Sequence, residues 1–216
     1  MRQRAAELRA ALPGESTLLY SLKANPLPPV VAALRSAGCG AEVSSVGELG
    51  VALASRTSST PVLYTGPAKS TSEIRSAIRA GAVLSCESWV EVARIAAAVE
   101  PGDPRVGVIL RLQPPSRPAA GLSMADGGQF GFLEGEAVDL CLHPPREVEV
   151  LGFHCYLGSQ LATSEVLLAG FAEAFGVVER VADGGHVRPR VVDLGGGFPW
   201  PYAAPGAGPD LSSLRD

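Results

Sequence analysis

Apolar residues along the 216-residue chain gather into short β-prone runs separated by longer stretches with helical spacing. The strand candidates are 17–22 (TLLYSL), 41–45 (AEVSS), 61–65 (PVLYT), 82–86 (AVLSC), 106–112 (VGVILRL), 148–154 (VEVLGFH) and 190–194 (RVVDL). Helices are predicted between them over 27–37, 47–56, 71–80, 88–99, 134–142 and 164–183, with a further one at 2–12 ahead of the first strand. Ser70, Thr71 and Ser72 offer N-caps to the fourth of these seven helices. Several strands are unbroken apolar runs, which suits a sheet covered on both faces. Such alternation predicts a parallel α/β fold. Seven strands fit either a doubly wound sheet or a TIM barrel short of one βα unit, since a full barrel takes about 250 residues. The segments 113–128 and 198–210 are rich in Pro and Gly and read as long loops, and 211–216 reads as the opening of a helix. No internal repeat is visible.

Charge narrows the partners. The net charge is −4 and the basic residues are scattered, so no nucleic-acid-binding stripe is expected. The longest mostly apolar stretch, 166–178, contains Glu173 and is too short to span a bilayer, and no leader pattern opens the chain. A cytoplasmic protein without a membrane partner is the expectation. Cys39, Cys86, Cys141 and Cys155 form no C-x-x-C pair and read as buried, reduced thiols. His143, His154 and His186 do not cluster with them, so no metal site is expected.

The stretch LYSLKANP (19–26) carries one of only two lysines, Lys23 and Lys69, at the exit of a β-prone run. A lysine there either snorkels to water or is a partly buried amine able to attack an aldehyde. In a parallel α/β fold, chemistry collects at the C-terminal ends of strands. Those ends would bring Lys23, Arg111, His154, Tyr156, Ser159 and the run Gly195, Gly196, Gly197 to one rim. The three glycines either form a plain turn or let backbone N–H groups approach a phosphate. Their pattern is not G-x-G-x-x-G, which argues against a nucleotide-binding sheet. His154 reads as a structural histidine or a site group. Arg111 at the end of an apolar strand needs an anion or a neighbouring carboxylate.

Seven stretches, YSLKANP, AEVSSVGEL, YTGPAKS, LRLQP, QFGF, GFHCYLGSQ and DLGGGFPWPY, occur in an order that resembles the fold-type III PLP-dependent decarboxylases. These are the diaminopimelate, ornithine and arginine decarboxylases, related to alanine racemase. The resemblance implies a TIM (β/α)8 barrel that binds pyridoxal 5′-phosphate, with Lys23 as the Schiff-base lysine. It implies that Gly195, Gly196, Gly197 and Ser159 hold the phosphate, and that Arg111, Glu42 and Glu48 support the cofactor. A small-molecule amino acid is the implied substrate: diaminopimelate first, with ornithine, arginine or an amino acid on a carrier protein as alternatives.

Two positions depart from that family. Tyr156 stands where a histidine often stacks on the cofactor ring, and Glu42 where Asp is commoner. Tyr156 is expected to face the ring, with His154 nearer the interior. The family's eighth strand, its E-P-G-R-like motif and its C-terminal β-domain find no match in the 216 residues. The expected organisation is therefore a partial PLP-binding barrel domain over 1–216 with about seven strands, homodimeric when complete. The other readings are a non-catalytic PLP-carrying barrel and an inactive fragment of a decarboxylase.

Overall fold

The computed structural model describes residues 1–55, 60–113, 130–159, 161, 163–198, 211 and 214. The two Pro/Gly-rich segments and the predicted helix opening at 211–216 lie almost wholly outside the described residues. The elements run α1 (Arg2–Ala11), β1 (Leu19–Ser21), α2 (Pro28–Ser36), β2 (Gly40–Val43), α3 (Val46–Ala54), β3 (Val62–Tyr64), α4 (Thr71–Arg79) and β4 (Val83–Cys86). They continue with α5 (Trp89–Ala96), β5 (Val106–Leu112), α6 (Glu134–Leu142), β6 (Val148–Cys155), α7 (Ser164–Gly184) and β7 (Val191–Asp193).

The seven strands among the described residues follow chain order in one sheet. β1, β2, β3 and β4 pair in parallel, as do β6 and β7. Strands in unbroken sequential order, six of them followed by a helix, have the topology of an incomplete TIM (β/α)8 barrel. A doubly wound sheet reverses its order at a switch point, so that alternative is set aside.

The chain divides into two compact units, one of Met1–Val108 with Pro145–Glu149, the other of Ile109–Pro144 with Val150–Asp216. In the first, alternation along β1 sends Tyr20 towards the apolar cluster of Ala5, Leu34 and Cys39. Leu19 and Ser21 therefore share the opposite face with their register partners Gly40 and Glu42. β1 is shorter than predicted because Leu22–Ala24 winds into a 3₁₀ turn. Asn25 then ends it: its carbonyl accepts the Tyr20 hydroxyl at 3.1 Å, and its side chain accepts the Leu27 N–H at 3.1 Å. Pro28 opens α2, where its missing N–H costs nothing.

Three successive helices start on the same device. Ser45, Ser70 and Ser88 each accept the backbone N–H three residues on, from Glu48, Glu73 and Glu91. At Ser70 the reciprocal bond from its own N–H to Glu73 completes a capping box. The core between helices and strands is aliphatic, with Val31, Val43, Ile74, Leu84, Val92 and Ile95 fully buried.

In the second unit, Ile109, Leu110 and Leu112 of β5 and Phe153 of β6 are buried. α6 lies against α7, where Arg180 meets Glu134 at 2.7 Å. β7 approaches β6 so closely at Gly152 that an added Cβ would stand 1.8 Å from the Val191 carbonyl oxygen. Only glycine admits that pairing. Among the described residues, no helix is long and apolar enough to cross a membrane.

Candidate functional site

In the first unit, Lys23 stands on the 3₁₀ turn just past β1, where the chain has left the sheet. Its side chain is 61% exposed, and its Nζ lies 3.8 Å from Glu42 Oε1. Of the two readings open at this position, a lysine that snorkels to water and a partly buried amine, the exposure matches the first: Lys23 reaches into the open. Glu42 is held from behind, because its Oε1 accepts the Thr65 hydroxyl at 2.7 Å. Thr65 itself is buried just past the end of β3. Glu48, matched by resemblance to a cofactor-supporting position, accepts the Ser44 N–H at 2.8 Å at the start of α3.

The buried amine is the other one. Lys69 Nζ donates to the Ser85 carbonyl at 2.6 Å and to Glu91 Oε1 at 2.9 Å. Its side chain is 0% exposed. The Glu91 carboxylate accepts a second bond from the Glu87 N–H at 2.9 Å. The ammonium also lies 5.7 Å from the centre of the Tyr64 ring, whose hydroxyl donates to Glu73 at 2.9 Å. Burial, with Glu73 alongside, pushes the Tyr64 phenol well above its ordinary value. Sequence reasoning missed this network. Its one signal was a lysine next to a helix cap in a chain that otherwise uses arginine.

In the second unit the remaining predicted residues, His154 apart, gather around Tyr156. The Arg111 guanidinium, at the end of β5, lies 5.6 Å from the Tyr156 ring centre and 5.3 Å from that of Phe130. Phe130 is held there because the neighbouring Phe132 bonds back to β5, donating its N–H to the Arg111 carbonyl at 2.8 Å. The Tyr156 and Ser159 hydroxyls are 2.8 Å apart. His154 is buried on β6, in register with Asp193 of β7.

The glycine run is stitched to this loop. Leu161 donates its N–H to the Gly197 carbonyl at 2.9 Å. Gly195 and Gly197 have φ of +69° and +85°, a region that L side chains rarely adopt. A Cβ on Gly197 would stand 2.9 Å from the Gly158 carbonyl oxygen, whereas one on Gly196 would meet nothing within 4 Å. The Gly195 N–H is already committed to Asp193 Oδ1 at 2.8 Å. Desolvation raises the Asp193 carboxyl above its ordinary value, and the bond from Gly195 opposes that. A hydroxyl, a guanidinium and a glycine turn with open space at its middle residue make a donor set suited to a phosphate, and the first unit supplies an open amine suited to an aldehyde. Taken each by itself, the donors of the second unit fit the phosphate end of a phosphorylated aldehyde and Lys23 of the first fits its aldehyde end. Among the described residues, no cluster of His, Cys, Asp and Glu could hold a metal ion.

Residues 1–209 match the family model described as pyridoxal-dependent decarboxylase, pyridoxal binding domain. The diaminopimelate decarboxylase of Actinosynnema pretiosum subsp. auranticum is 32% identical over 96% of this chain and 47% of its own length. An L-glutamyl-(BtrI acyl-carrier protein) decarboxylase of Niallia circulans is 27% identical over 84% of this chain and 44% of its own. Among solved structures, the diaminopimelate decarboxylase of M. jannaschii in co-complex with L-lysine has a TM-score of 0.80 at 26% identity, over 99% of this chain and 51% of that one. The chain spans about half the length of the relatives it matches.

Proposed function

Because the chain belongs to the pyridoxal-binding domain family of the pyridoxal-dependent decarboxylases, we propose that it binds pyridoxal 5′-phosphate through Lys23 and that the protein decarboxylates a small amino acid. The observation that carries the reading is the contrast between the two lysines. One is 61% exposed beside a carboxylate at a strand end, and the other is sealed in an ion pair.

When bound, the cofactor supplies an electron sink for the pair left at Cα as CO2 departs. The chain's own residues do the rest. Lys23 provides the amine that holds the aldehyde. Glu42, fixed by Thr65, orients that amine and balances its charge. The Ser159 hydroxyl and the backbone around Gly196 and Gly197 hold the phosphate, and the Arg111 cation offsets its negative charge. Tyr156 borders the ring, and His154, buried on β6, supports the site from behind.

Diaminopimelate is the substrate that the relatives favour, with the carrier-bound glutamate named for the Niallia circulans relative as the second reading. A homodimer is the assembly that we propose for the complete protein, in the cytoplasm.

The cofactor claim is tested by mixing the protein with pyridoxal 5′-phosphate, reducing with borohydride, digesting and locating the pyridoxyl mass. It is expected on the peptide carrying LKANP and absent in Lys23→Ala. A mass confined to Met1 or Lys69 would overturn the assignment. Release of CO2 from diaminopimelate, but not from ornithine or arginine, tests the substrate.

A further inference from the structure

Tyr156 touches three of the groups assigned above to the cofactor. Its ring lies 5.6 Å from the Arg111 guanidinium, which Phe130 covers at 5.3 Å. Its Cδ2 runs beside Gly195, 3.7 Å from where a Cβ would sit on that glycine. Its hydroxyl is 2.8 Å from Ser159 Oγ. Tyr156 is half-buried, while Ser159, on the loop past β6, is exposed. An exposed serine hydroxyl otherwise rotates freely among its staggered positions.

We propose that Tyr156 is a positioning residue that aims the Ser159 hydroxyl at the phosphate of the bound cofactor, and so makes the site select a phosphorylated aldehyde over the free one. The inference rests on the cofactor reading above and goes beyond it. Each hydroxyl has one proton and can accept as well. The oxygens of the fully ionised phosphate only accept, so Ser159 must donate to one of them. Ser159 keeps its bond to Tyr156 in that state only if the phenol is the donor. The order Tyr156 O–H to Ser159 O–H to phosphate is then the one arrangement that retains both bonds, and each strengthens the other. The ring half of Tyr156 meanwhile fixes where the phenol stands, since Arg111 and Gly195 hold it on two sides. A phenylalanine at this position would keep the ring and lose only the aim.

The experiment compares the binding of pyridoxal 5′-phosphate and of pyridoxal, which lacks the phosphate, by absorbance and fluorescence titration. The proteins are the wild type, Tyr156→Phe, Ser159→Ala and the double variant. Tyr156→Phe is expected to weaken binding of the phosphorylated aldehyde about 2- to 12-fold, the range of one lost hydrogen bond between neutral groups, and to leave pyridoxal binding unchanged. The double variant is expected to bind no more weakly than Ser159→Ala, because the phenol acts through that hydroxyl. The ligand-free melting temperature is expected to stay within a degree or two of wild type.

Equal loss of both aldehydes in Tyr156→Phe, or additive losses in the double variant, would overturn the proposal while leaving the cofactor reading intact. So would unchanged binding of pyridoxal 5′-phosphate. A wild-type protein that binds neither aldehyde overturns the cofactor reading and this inference with it. Should Tyr156→Phe melt early, the titrations are run below its transition, where a loss confined to the phosphorylated aldehyde still supports the proposal and an equal loss of both still overturns it.

Discussion

Lys69 Nζ and Glu91 Oε1 stand 2.9 Å apart with their side chains 0% and 8% exposed. The pair joins the chain just ahead of α4 to the first turn of α5, and the Ser85 carbonyl of β4 takes a further bond. Removing one partner would leave the other charge buried and unpaired. Lys69→Met is expected to lower the unfolding free energy by about 3–5 kcal/mol. Lys69→Met with Glu91→Leu should recover much of that, since an apolar pair carries no desolvation penalty. Urea melts of the three proteins decide it, and a double variant as weak as the single one would count against the account.

The Ser70 cap carries a pH signature. Bonds from the Ser70 hydroxyl and N–H, then from Tyr64, hold the Glu73 carboxyl below its ordinary value. A carboxyl lowered on folding contributes stability that is present above its unfolded value, about 4.3 for glutamate. That contribution is lost as pH falls through the lower folded value. Ser70→Ala is expected to cost about 0.5–2 kcal/mol at neutral pH, and the gap to wild type should narrow below about pH 4. A constant gap across a pH series of denaturant melts would show that Glu73 takes no part in it.

The glycine run separates into two kinds of position. Gly197→Ala puts a side chain at φ +85° and 2.9 Å from the Gly158 carbonyl oxygen. A loss of about 1–2 kcal/mol is expected from the left-handed backbone alone. Gly196→Ala meets nothing within 4 Å, so its melting temperature should match wild type. Its effect should appear instead as weaker retention of pyridoxal 5′-phosphate on dialysis, because the methyl group fills the space assigned to the phosphate.

All four cysteines are free and buried. Burial pushes the Cys155 thiol up to about 12 and Cys141 up to about 11, and raises Cys39 and Cys86 as well. The thiolate is the reactive form. The native protein should therefore react with a thiol-specific disulfide reagent at neutral pH only on the time scale of unfolding, and release four equivalents at once in denaturant. A fast equivalent in the native state would single out a thiol that opens locally.

Much of the fold was legible because its signal is local. Among the described residues, period and run length placed all seven strands and all seven α-helices, and 134–142 coincides with α6. The misses are at ends, where a single turn overrides propensity. TLLYSL reads as a strand to Leu22, yet Asn25 and the bond it takes from Tyr20 pull Leu22–Ala24 into a 3₁₀ turn. The family was legible from seven short motifs in order, six of which cover the end of a strand. Which lysine is open and which is sealed was not. Burial of Lys69 depends on Glu91, twenty-two residues further on, and no local pattern announces that meeting. The Arg111–Tyr156–Phe130 stack was hidden for the same reason.

A chain with two lysines, one of them locked in an ion pair, keeps a single open side-chain amine in its native fold. Acylating or aldehyde reagents applied to the native fold should find Lys23 and the α-amino group of Met1, and pass over Lys69. A dye or affinity tag could thus be installed at the mouth of β1 without any engineered cysteine, and unfolding could be followed as the moment when a third attachment point becomes reactive.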